Sequence, residues 1–66
     1  MDQILKRLEI LKTSISIEDE ELINLQIMKL SEMDIDDAVK GIIDCIGDQN
    51  YSNAITNIES YLSKHS

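Results

Sequence analysis

Cys45 and His65 are the side chains in this sequence best suited to nucleophilic or metal chemistry, and each residue type occurs once. A thiol attacks as its thiolate, which needs a positive field or an adjacent base held in place by a third group. Cys45 has Asp44 and Asp48 as neighbours, which disfavour the thiolate, and it falls on the apolar face of a helical pattern. It is expected to be a buried structural cysteine. His65 is the penultimate residue, where a chain frays and a base is poorly held. One thiol and one imidazole are too few for a zinc site, and a lone cysteine closes no intrachain disulfide. The acidic clusters at residues 18–21 and 34–37 offer oxygen ligands. Asp34 and Asp36 alternate as in a calcium loop, but no central glycine or closing glutamate follows at the required spacing. These acids are expected to be helix-start charges on a solvated face.

Ser52 opens a helical pattern between Tyr51 and Asn53, so it lacks the Asp-Ser-Leu context that carries a phosphopantetheine arm in acyl carrier proteins. The sequence holds no glycine-rich phosphate loop and no His-centred phosphotransfer motif. It therefore assigns no catalytic residue, no metal ligand and no cofactor site, and the chain is expected not to be an enzyme.

The elements that would hold these residues read as four helices, at about residues 2–13, 17–32, 34–46 and 52–64, in a single domain spanning residues 1–66. In the first, Ile4, Leu5, Leu8 and Leu11 recur at spacings of three and four, with Lys6, Arg7 and Glu9 opposite. Thr13, Ser14, Ile15, Ser16 and Ile17 break the pattern and read as a linker, with Ser16 and Asp19 as a capping pair. The second helix carries Leu22, Ile23, Leu25, Ile27, Met28 and Leu30 over more than half of its circumference. Such a helix is covered on more than one side, either at the centre of its own domain or by another subunit. Asp34 is the expected cap of the third helix, with Met33 stapled onto Ala38. Gly41 inside that helix implies a close-packed neighbour, and Gly47 is placed to end it in the left-handed conformation. The short polar joint at residues 48–50 makes the third and fourth helices antiparallel. The expected fold is all-α, a small three- to four-helix bundle with an antiparallel C-terminal hairpin.

Tyr51, Ser52, Asn53, Ala54 and Ile55, followed by Ile58 and Leu62, resemble the second helix of a tetratricopeptide repeat, and the likeness extends over residues 38–62. In that family the aromatic and the alanine let two antiparallel helices pack closely, and stacked repeats form peptide-binding grooves. Tyr51 and Ala54 match. Ile42 and Cys45 stand where the family has glycine and an aromatic, Tyr61 replaces a small residue, and no second copy follows at the repeat length. The resemblance implies a helical hairpin, not a repeat array.

Composition narrows the function. Ile and Leu supply nineteen of 66 residues, with no Phe or Trp, so the apolar surface suits interlocking helices better than stacking bases or aromatic cofactors. The net charge of −7 opposes phosphate backbones and anionic lipids. Residues 1–13 carry +1 (three basic, two acidic) and residues 14–66 the remaining −8. A helix-turn-helix would have a recognition helix whose basic residue is Lys64 alone, at its end. No run of apolar residues reaches the length of a membrane span and no signal peptide is evident, and a free thiol suits a reducing compartment, so the cytoplasm is the expected location.

A chain of this length, without disulfide or zinc, has a small core, and association with another chain is the remaining staple. The expected function is that of a protein–protein interaction module, a small adaptor or regulator that forms a homodimer or docks on a larger partner. Leu5, Leu8, Leu22, Leu25 and Met28 are the expected contact residues. The rival readings are a dimeric, antitoxin-like nucleic-acid-associated regulator and a structural subunit of a larger assembly.

Overall fold

The computed structural model describes residues 3–65. They form four helices: α1 Gln3–Ser16, α2 Glu20–Ser31, α3 Asp37–Gly47 and α4 Tyr51–His65. The all-α bundle expected from the sequence is present, with its helix boundaries displaced for identifiable reasons.

The linker expected at residues 13–17 is mostly helix. The hydroxyls of Thr13, Ser14 and Ser16 donate to the carbonyls of Glu9, Ile10 and Lys12, at 3.2, 2.8 and 3.1 Å. Bonding back one turn lets serine and threonine stay in a helix they would otherwise disfavour. The extension buries Ser14 and Ile15, and burial outweighs local propensity. Ser16 therefore belongs to α1, and Asp19 caps α2 by accepting from the Leu22 N–H at 3.2 Å.

At α3 the cap is Asp36 rather than Asp34. Its carboxylate accepts from the Val39 N–H at 3.0 Å. The later start takes Met33 out of the stapling position opposite Ala38, and Met33 packs at the edge of the core instead.

Both helical hairpins turn through a non-glycine residue in the left-handed region. Glu18 has φ 57° and Gln49 φ 61°, whereas Gly47 has no positive φ and ends α3 as a helical residue. After α1, the N–H groups of Glu18 and Asp19 donate to the carbonyls of Ile15 and Ser14, both at 3.0 Å. After α3, those of Gln49 and Asn50 donate to Ile46 and Cys45 at 2.9 and 2.8 Å. Each pattern is a Schellman closure, whose left-handed position usually holds glycine. Gly41 does not mark a close approach either, since a Cβ added there meets nothing within 4 Å.

The main packing is of α1 against α2 and α4, and of α4 against α3, while α2 and α3 line a common groove through Ile23, Ile27, Ile43 and Ile46. The C-terminal hairpin is antiparallel: Tyr61, late in α4, bonds Asp36 before α3, while Asn57 reaches Cys45 further along. The core comprises Leu8, Leu11 and Ile15 of α1, Ile23 and Leu30 of α2, Val39, Ile42 and Ile46 of α3, and Ala54 and Ile58 of α4. α1 and α4 thus each pack against two neighbours. α2, despite its wide apolar arc, packs chiefly against α1.

Candidate interaction surfaces

At about 100° per residue, the residues of α2 divide into two faces. Ile23, Gln26 and Leu30 point inward and are buried. Leu22, Leu25 and Met28 point outward and are 36, 41 and 59% exposed. Polar neighbours punctuate this outer stripe, with Glu21 near its start, Lys29 beside it and Glu32 at its end.

Of the five contact residues expected from the sequence, these three share the outer face of α2. Leu8 is a correction: it has no exposed surface and belongs to the core, because it lies on the side of α1 that meets its neighbours. Leu5 is half-buried on the same helix. Sequence reasoning missed Ile17, which is 60% exposed. The sequence pattern placed it where the linker meets the second helix, with no sign of its exposure. In the structure it follows the last turn of α1, just before the left-handed Glu18.

Gln26 was also missed. It is buried, and its side-chain oxygen accepts from Arg7 Nη1 at 3.0 Å, joining α2 to α1. Among the described residues, no buried side-chain nitrogen or oxygen lacks a hydrogen-bond partner. A second polar tie, Lys12 with Glu59 at 3.7 Å, joins α1 to α4 on the solvated surface, where such a pair contributes little.

A groove of about 900 Å³ lies where the α1–α2 joint faces the start of α4. Ile15, Ile17, Ile23 and Ile55 provide its apolar lining, with Tyr51 at one side. Glu18, Asp19, Glu20 and Glu21 line it as well.

The residues that could carry chemistry are kept apart. Cys45, expected to be buried, is half-buried, and Asn57 Nδ2 donates to its sulfur at 3.7 Å. His65 lies eight residues beyond Asn57, about 12 Å along α4, and stacks on Tyr61 with ring centroids 4.3 Å apart. Thiol and imidazole do not form a pair. Among the described residues, no three His, Cys, Asp or Glu side chains are grouped to hold a metal ion, and no helix is long and apolar enough to cross a membrane.

The titration of Asp36 is displaced by its partners. The Val39 N–H, the Tyr61 hydroxyl donating at 3.1 Å and the charge of His65 hold its carboxyl below the ordinary 3.8. It locks the start of α3 to the end of α4, which is a structural task. Comparison with protein-family models, curated proteins and solved structures finds no match to this chain.

Proposed function

We propose that this protein is a non-catalytic protein–protein interaction module that pairs with a second copy of itself through the outer face of α2. The observation that carries the reading is the placement of its exposed apolar side chains. Among the described residues, the large hydrophobics left open to solvent are Ile17, Leu22, Leu25 and Met28, all between positions 17 and 28. Isolated exposed leucines need no explanation, but Leu22, Leu25 and Met28 in a run along one face of α2 do.

The stripe is self-complementary. In an antiparallel pair with Leu25 on the two-fold axis, Leu22 meets Met28 of the second copy. Glu21 then meets Lys29, four residues to the other side of the axis. A two-fold interface requires this kind of reciprocity. α2 has twelve residues and is about 18 Å long, so the face alone is well below the ~800 Å² per partner of a standard interface. The pairing is accordingly weak and reversible, as suits a regulator or adaptor that exchanges partners.

Sedimentation velocity over a hundredfold range of concentration tests this. The wild type is expected to shift from monomer to dimer, and Leu25→Asp to remain a monomer with unchanged helicity. Glu21→Lys alone should weaken the pairing by placing two lysines together, and Lys29→Glu added to it should restore the dimer. A wild type that stays monomeric at millimolar concentration, or a Leu25→Asp protein that still dimerises, overturns the reading.

A further inference from the structure

We infer that the groove at the α1–α2 joint is a second docking site, one that receives a basic segment of another protein with aliphatic side chains along one helical face. Shape and charge argue for this occupant together. The apolar lining is aliphatic, with exposed Ile17 and half-buried Ile55 over a floor of the buried Ile15 and Ile23, which suits branched side chains entering from a helix. Ile17 is 60% exposed, so apolar surface is already presented there and is covered only when a partner arrives.

Four consecutive carboxylate residues lie along the groove, and Asp19 is the only one of them engaged as a helix cap. The starts of α2 and α4 also face it. Their helix dipoles amount to roughly +0.5 each, which four carboxylates outweigh, so the mouth remains negative and selects lysine or arginine beside the aliphatic stripe. A small polar ligand fits less well, because no buried polar side chain among the described residues is left unpaired to orient one. The site is separable from pairing through α2: the outward residues Leu22, Leu25 and Met28 take no part in the groove, and Glu21 alone belongs to both.

The test is an NMR titration of the ¹⁵N-labelled protein with a synthetic peptide of about four helical turns. The peptide is made of leucine, alanine and lysine, with the leucines at spacings of three and four and the lysines flanking them. Amide shifts are expected to cluster around Ile15, Ile17, Ile23, Tyr51 and Ile55. Affinity should fall about tenfold in Glu18→Gln/Glu20→Gln, and again in Ile17→Ser, whose exposed position leaves folding intact. It should be unchanged in Leu25→Asp, which separates this site from the dimer face. Any of four results overturns the proposal: no binding, equal binding of a peptide with the same composition but scrambled leucines, shifts spread over the whole acidic surface, or shifts at the groove on concentration of the protein alone. The last would mean that a second copy fills it.

Discussion

Asp36 shows how much one side chain can do at the end of a helix. One carboxylate oxygen caps α3 through the Val39 N–H and the other accepts from the Tyr61 hydroxyl, so a local signal and a contact between helices meet in one group. Both bonds favour the ionised form, which places its pKa below the ordinary 3.8. A carboxylate depressed in the folded state contributes stability that is fully present above its unfolded pKa and is lost as pH falls through the folded value. The contribution of Asp36 is therefore complete at neutral pH and disappears from about pH 4 downward. The Asp36→Asn variant would keep its cap, since asparagine is as good an N-cap as aspartate, but its amide cannot titrate. Urea unfolding followed by circular dichroism at pH 7 and pH 3 should show the wild type losing more stability than Asp36→Asn over that interval. Equal losses would mean that the hydrogen bonds at Asp36 do not couple to folding.

At the scale of elements, the two Schellman closures are the clearest departure from the cheapest local choice. A non-glycine residue in the left-handed region is disfavoured by roughly 1–2 kcal/mol, while glycine adds about 0.5–1 kcal/mol of backbone entropy to be lost on folding. Glu18→Gly and Gln49→Gly should each stabilise the fold by about 0.5–1 kcal/mol, raising Tm by a few degrees in a domain of this size. Thermal melts check it, and a fall in Tm for either variant would show that its side chain makes compensating contacts. The same closures explain what the sequence could not disclose. Apolar spacing at three and four residues made the helices and the C-terminal hairpin legible, because that period is imposed by burial. The helix ends were less so: Gly47 looked like the terminator, but the left-handed turn falls two residues later, at Gln49. Ser14 and Ser16 looked like a break, because their bonds back to Ile10 and Lys12 leave no trace in composition. Leu8 and Leu25 are both leucines on apolar stripes, and only the packing of α1 between α2 and α4 makes one core and the other surface.

For the whole molecule, the radius of gyration of 10.4 Å is close to the roughly 10.8 Å expected of a compact chain of this length. A single chain is thus fully collapsed, and on the proposed pairing a second copy adds to a folded body instead of completing it. Stability is still small, about 3–10 kcal/mol at the usual per-residue range, and it is concentrated where the helices converge. Leu11 has no exposed surface and sits in α1, which packs against both α2 and α4. Truncating a buried leucine to alanine costs about 2–5 kcal/mol, a large share of that total. Leu25 is 41% exposed, and replacing it should change monomer stability by only roughly 0.5 kcal/mol. The two substitutions should therefore separate folding from assembly. Leu11→Ala is expected to lower Tm by about 10 °C or more and to lose helicity in all four elements together, whereas Leu25→Asp keeps the melt and loses the dimer. If Leu11→Ala melted α2 alone and left the α3–α4 hairpin intact, α1 would not be the hub of a cooperative bundle, and the two hairpins would have to be treated as independent units.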